Sequence, residues 1–432
     1  MDYDNLKPFR VIVLVVFGFL ALFGLFLFAN FEGFDNGEAA IGEVSIWGTL
    51  PEELVSAQID ALRQERPEFV GITYEEHPAQ TFGPDLAEAL AIGEGPDLVL
   101  ISQEQLVSER NKLTVIPYSN ISQREYLDTF VPISELFLTD KGTYAVPIAV
   151  DPLVMYYNRS HLASAAVPQP PQTWEAILGI AERIITRTGG QIGRSAIAFG
   201  EYDNVTNARA VLSLLLLQAG TNISMVSNGQ LVSALNQSAS GPGNPSQSAL
   251  SFYTQFSDPA KTVYSWNRAM PEARQAFLAG DLAFYFGFAS ELPLLQAGNP
   301  NLDFDMAPVP QPERSTTRMT YGLVYGLAIP KASDNQTGAY TTAIALAGKD
   351  AAAATAGSLS MVPASRAALV PAAEDRFQPV YFPEALVARG WLSPSAAVTD
   401  SIFAAMIGNI TSGRQDVGQA LLTADQALTS AL

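Results

Sequence analysis

The sequence predicts an α/β protein of two lobes behind one N-terminal membrane-spanning helix, and three observations carry that expectation. Residues 11–29 form a charge-free apolar run, with Lys7 and Arg10 before it and Glu32, Asp35 and Glu38 after it. About 390 residues follow the tether that ends at residue 43, more than one compact core commonly takes. The stretch 44–101 alternates strand, helix, strand, helix, strand, the pattern of right-handed parallel βαβ units.

At a rise of 1.5 Å per residue the apolar run reaches roughly 28 Å as a helix, about the thickness of a bilayer's hydrocarbon core. Basic residues prefer the cytoplasmic flank, so residues 1–29 read as a cytoplasmic stub and anchor, with the bulk of the chain extracytoplasmic. Signal-peptide h-regions are shorter, about 7–15 residues. Cleavage near Gly37-Glu38-Ala39-Ala40 is the alternative to a retained anchor. With no Cys in the chain, lipidation of a cysteine and disulfides are both excluded.

Residues 30–43 are polar, acidic and Gly-containing, which suits a tether. Residues 44–48 read as a strand running into a Gly turn. Pro51 opens a helix carrying Val55, Ile59 and Leu62, which Pro67 ends. Ile72 and Tyr74 alternate in a second strand, and Leu86 and Leu90 mark a second helix. Residues 97–101, after Gly95-Pro96, are a short apolar run of the kind buried on both faces of a parallel sheet. Residues 144–157 are strand-rich, and Pro168, Pro170 and Pro171 stiffen a loop. Thr173 is placed to cap a helix from 174 to about 188. Residues 211–218 read as a buried helix ending at Gly220, and residues 238–247 as a surface loop. The tail from 417 is helical, with Leu421, Ala424, Leu428 and Leu432 on one face. No internal repeat is visible.

An apolar content of 48% with 28 prolines describes a folded, loop-rich protein. The net charge of −19 opposes nucleic acid and anionic membrane surfaces as partners.

Several motifs occur in a definite order. Ala87-Glu88-Ala89-Leu90-Ala91-Ile92-Gly93-Glu94-Gly95-Pro96-Asp97-Leu98-Val99 comes first. Tyr144-Ala145-Val146-Pro147-Ile148-Ala149-Val150-Asp151 follows, then Met155-Tyr156-Tyr157-Asn158-Arg159. Pro171-Gln172-Thr173-Trp174-Glu175 and Ala276-Phe277-Leu278-Ala279-Gly280-Asp281-Leu282-Ala283 come next, and Ser412-Gly413-Arg414-Gln415 with Ala420-Leu421 closes the series. This order resembles the extracellular solute-binding proteins of family 1, the maltose-binding-protein-like substrate-binding proteins of ABC transporters. The similarity spreads over residues 44–432. The resemblance implies a type II periplasmic-binding-protein fold with a hinge and an interlobe cleft. On the family pattern lobe one takes 44–150 plus 305–350, and lobe two 151–304 plus 351–432. It further implies a monomer that carries a small solute, a sugar by preference, to the permease subunits of an ABC importer, without a cofactor.

Ligands in open α/β sheets sit at the carboxyl ends of strands, where Trp47 and Thr49 follow the first strand and Glu104 the third. Asp151 lies between Val150 and Pro152, where a carboxylate needs a donor or a ligand hydroxyl. Tyr202, Asp203, Trp266, Phe288, Tyr321 and Tyr325 fall on segments that the resemblance places along the cleft. For Trp47 and the other aromatics the alternative is core packing; for Asp151 it is an internal hydrogen bond, and for Glu104 a solvated loop. Two positions depart from relatives that bind maltodextrins. Gly287-Phe288-Ala289-Ser290 replaces one aromatic platform, and an ungapped count puts Asp400 at another, which points to a smaller or more polar solute.

No catalytic or metal-ligating set emerges. The two histidines, His77 and His161, are far apart, and no nucleophile elbow or phosphate loop is present. Asp151 and Glu201 would serve glycoside hydrolysis only at about 5–10 Å separation. A surface interaction or sensory-coupling domain on the same fold is the remaining alternative.

Overall fold

A computed structural model describes residues 41–189, 191–237 and 243–432. The expected anchor over 1–29 and nearly all of the tether lie outside the described residues. Among the described residues, no helix is long and apolar enough to cross a membrane.

Strand β1 (Val44–Gly48) has alternately buried residues, as a strand with two different faces should. Helix α1 (Glu52–Glu65) buries Val55, Ile59 and Leu62, the predicted stripe. Strand β2 (Ile72–Glu76), helix α2 (Phe82–Ile92) and strand β3 (Leu98–Ser102) complete the βαβαβ unit. Gly93 ends α2 in the left-handed region at φ 79°, a conformation glycine adopts without strain. β1 pairs parallel with both β2 and β3, and all five residues of β3 are buried. Ser102 and Gln105 then form a reciprocal capping box on helix α3 (Gln103–Glu109), fixing the chain at the end of the buried strand.

Strand β4 (Ala145–Asn158) is the long crossover. Beyond it come α4 (Trp174–Ile184), β5 (Gln191–Ile197), α5 (Ala208–Gln218), β6 (Leu282–Phe288) and β7 (Phe304–Ala307). Strand β8 (Thr320–Ala328) returns antiparallel to β4, and β9 (Val362–Pro363) adds to β4. Helices α6 (Gln378–Val387), α7 (Ala396–Thr411) and α8 (Val417–Ala431) finish the chain. The main sheet runs β2-β1-β3-β8-β4-β6-β5. Its two ends are parallel units, and its middle is the antiparallel β4–β8 pair that belongs to both lobes. Thr173 accepts a hydrogen bond from Ala176 N at 3.2 Å and caps α4 as predicted. That helix stops at Ile184, short of 188, because the chain turns into a small strand, Thr186–Thr188, paired with β5.

One apolar core gathers Ile46, Leu98, Phe137, Val150 and Leu327 around the β1–β3 half. A second gathers Leu153, Trp174, Phe199, Leu214, Phe286 and Phe403 around the β5–β6 half. Met361, Val362, Tyr381 and Ala385 pack in the first core, which also takes in Phe277, Tyr285 and Phe304. Ala307 and Val309 pack in the second. Ala388 and Arg389 pair with Thr320 and Tyr321 at the start of β8.

Candidate functional site

The cleft is built at the β4–β8 crossover. Asp151 is 2% exposed, and its two oxygens accept hydrogen bonds from the Ser290 backbone N–H (3.1 Å) and hydroxyl (2.6 Å). Burial pushes its carboxyl up to about 7, against the lowering effect of the Ser290 bonds. The carboxylate thus ties the crossover to the turn after β6, with Ser290 on each of its oxygens. Burial also raises the carboxyl of Glu201, which Arg268 faces at 3.5 Å.

Glu104, on the first turn of α3, is 5% exposed rather than solvated. It accepts a hydrogen bond from Tyr321 Oη at 2.7 Å. It also takes both arms of the Arg209 guanidinium, Nε to Oε1 at 3.1 Å and Nη2 to Oε2 at 2.8 Å. Arg209 Nη1 donates to Asp400 Oδ2, and Tyr202 Oη donates to Asp400 Oδ1 at 2.5 Å. Burial disfavours charge on Arg209, but Glu104 and Asp400 outweigh it and hold the guanidinium well above its ordinary value. Tyr321 is completely buried, and its phenol is pushed up by burial and by Glu104. It supports Glu104 and has no face left for a ligand. Phe288 is half-buried, with its ring 6.5 Å from that of Tyr321.

A cavity of about 240 Å³ opens here, lined by Glu104, Tyr202, Asn207, Arg209, Phe288 and Asp400 among others. A larger groove of about 470 Å³ is lined by Pro170, Pro171, Gln311, Pro312 and Arg318. It has no aromatic lining, whereas the smaller cavity has Tyr202 and Phe288, so the smaller cavity is the better candidate.

The other sequence candidates fall into three groups. Tyr325 is half-buried on β8, and its phenol has no hydrogen-bond partner among the described residues; burial, Asp151 and Glu104 all raise it. Trp47 and Thr49 are half-buried at the end of β1, where the Trp47 ring lies 4.0 Å from that of His77. Asp203 is exposed. Trp266, in contrast, is fully buried and donates its indole N–H to Asn204 Oδ1 at 3.1 Å. It is a core residue, because the hydrogen bond lets the whole ring be enclosed.

Sequence reasoning missed Arg209 and Ser290. Arg209 reads as an ordinary charged flank of an apolar helix. Its one signal is its position in the first turn, the end of a helix that disfavours a cation. Among the described residues, no group of three or more His, Cys, Asp or Glu is placed to hold a metal ion.

Comparison with known proteins returns a consistent set. A family model described as bacterial extracellular solute-binding protein matches residues 57–376. A curated binding protein of Brucella abortus is 26% identical over 179 residues, 40% of this chain and 42% of that protein's length. The crystal structure of cyclic alpha-maltosyl-1,6-maltose binding protein from Arthrobacter globiformis matches with a TM-score of 0.73 at 18% identity, over 90% of this chain and 98% of the other. An ABC transporter solute binding protein from Thermotoga lettingae, bound with alpha-D-tagatose, matches with a TM-score of 0.68 at 19% identity, over 90% and 99%. At these identities the likeness is one of fold: two α/β lobes with crossover strands between them.

Proposed function

Because this chain belongs to the bacterial extracellular solute-binding protein family, we propose that its cleft binds a small polar solute, carbohydrate by preference, for delivery to an ABC importer. The observation that carries this reading is the cavity at the crossover, where aromatic faces and hydrogen-bonding groups converge. Phe288 and Tyr202 cover apolar faces of the solute, and Tyr325 offers an unspent phenol. Trp47 and Thr49 contribute from the lip of lobe one, and Asp203 from the rim of lobe two. Glu104 forms the floor and acts on the solute through Arg209, as Asp151 acts through Ser290. A volume of about 240 Å³ suits one sugar ring better than a glucan chain, in keeping with Asp400 standing where maltodextrin binders carry an aromatic platform. The sugar-binding proteins among the similar structures support the same solute class.

Residues 1–29 hold the protein, as a monomer, at the outer face of the membrane, beside the permease subunits that receive the solute. A thermal-shift screen of the full-length chain in detergent, across hexoses, pentoses, polyols, amino acids and polyamines, tests the reading. Saturation at 100 times Kd adds about 2.7 kcal/mol, so a true solute raises Tm clearly. A rise confined to sugars is expected, and a panel with no effect contradicts it. A surface interaction or sensory-coupling role is the second reading. What favours it is that Arg209 already fills hydrogen-bonding capacity in the cleft.

A further inference from the structure

We propose that the cleft takes an aminated sugar, a single ring bearing one ammonium group, and that Asp400 is the residue that selects it. This inference rests on the carbohydrate reading of the same cavity and narrows it by charge. Two carboxylates line the cavity, Glu104 and Asp400, against one cation, Arg209. The exposed Asp203 at the rim has the same sign as that surplus. A cleft walled by one sign of charge attracts solutes of the other sign and repels its own.

Arg209 is not free to receive an anion. Its Nε and Nη2 donate to Glu104 at 3.1 and 2.8 Å, and its Nη1 donates to Asp400 Oδ2 and to the Ala396 carbonyl at 3.4 Å. Four of the five N–H groups of a guanidinium are then engaged, and the last can serve a neutral hydroxyl. A carboxylate or phosphate on the solute would have to displace Glu104 or Asp400 and would crowd a third negative charge beside them. Asp400 is placed differently. Its side chain is 45% exposed, whereas Glu104 is almost wholly buried. Each Asp400 oxygen accepts one hydrogen bond, Oδ2 from Arg209 and Oδ1 from Tyr202 Oη at 2.5 Å. A carboxylate has about four lone-pair sites, so both oxygens can take a further donor and keep the partner they have. Burial and Asp400 push the Tyr202 phenol up, so it stays a neutral donor and leaves the surplus charge in place. An ammonium meets that surplus best, because hydrogen bonds between ionised groups are stronger than neutral ones. One surplus charge suits one ammonium rather than the several of a linear polyamine. The aromatic pair in the lining, Tyr202 and Phe288, suits the faces of a ring.

Isothermal titration calorimetry on the full-length chain in detergent, at pH 6 and low salt, tests this. Glucosamine, galactosamine and mannosamine are compared with their parent hexoses, their N-acetyl forms, the matching uronic acids and putrescine. One hexosamine should bind about ten- to a hundredfold more tightly than its hexose and its N-acetyl form, the range of one charge-assisted hydrogen bond. The uronic acid should bind most weakly of the sugars. Raising salt from about 0.05 to 1 M should narrow the gap between hexosamine and hexose, since Asp400 is open to screening. Asp400→Asn should bring the ratio of the two affinities close to one. The comparison among sugars in the parent chain needs no variant, so it decides the matter even if Asp400→Asn does not fold. Equal affinity for hexosamine and hexose, or a preference for the uronic acid, would overturn the inference and leave the carbohydrate reading standing. Binding of putrescine alone, or of nothing in the panel, would overturn both.

Discussion

Asp151 sits where a carboxylate is least at home, and its environment makes a pH prediction. Its folded value, about 7, lies above the ordinary 3.8. Between those two pH values the folded chain keeps a proton that the unfolded chain has released, so stability from this group is full below about pH 4 and is lost as pH rises to about 7. Asn in its place still accepts the Ser290 backbone bond and can donate to the Ser290 hydroxyl, without a charge to bury. Asp151→Asn should therefore gain about 2–3 kcal/mol on the parent between pH 5 and pH 8, read by urea denaturation at both values. Equal differences at the two pH values would mean that the carboxylate is not paying a burial cost. At this scale the sequence was informative about chemistry and poor about neighbours. It picked out Asp151 from its apolar flanks and Glu104 from the end of a buried strand. It could not supply Ser290, a serine in a turn, or Arg209, because partners 139 and 105 residues away leave no local trace. Trp266 misled for the converse reason: an indole N–H can be satisfied by a core asparagine as readily as by a ligand.

At the scale of elements, the crossover pair β4–β8 has an unusual composition for the centre of a sheet. Pro147 stands opposite Gly326 and Pro152 opposite Gly322. Proline has no N–H to give the ladder, so both sites interrupt it, on either side of the Asp151 turn-over between lobes. The register shifts between Tyr325 and Gly326. A Cβ on Gly326 would lie 2.9 Å from Ala145 Cβ and 3.0 Å from the Phe137 ring, both enclosed. Gly326→Ala should thus destabilise by about 1–3 kcal/mol. Gly408 on α7 has open space around its Cβ position, and Gly408→Ala should instead stabilise by up to about 1 kcal/mol. Denaturation midpoints of the two variants against the parent check the contrast, and effects of the same sign would refute the packing described at β4–β8. The elements themselves were largely legible from periodicity and punctuation. Pro51, Pro67 and Thr173 mark boundaries because each has a backbone or capping preference. The early end of α4 was not legible, since Thr186–Thr188 becomes a strand only by pairing with β5.

Across the whole molecule, length and the order of motifs were enough to expect two lobes. What was not legible is that β8 packs in both cores, Tyr321 in one and Val324 in the other, because its pattern has no break. The result is a pair of cores joined by two strands, with the floor of the cleft between them made of residues from α3, α5, β6 and α7. In the proposed function a solute touches both lobes at once, and its binding would favour the closed arrangement over the open one. The central claim, that solute is held between the lobes, is tested most directly by hydrogen–deuterium exchange on the full-length chain. The comparison is between the chain alone and the chain with millimolar hexoses and short maltodextrins. Protection should rise together in segments 103–109, 200–210 and 288–291, which come from both sides of the cleft. Protection confined to one lobe, or centred on the groove around Pro171 and Gln311, would contradict it.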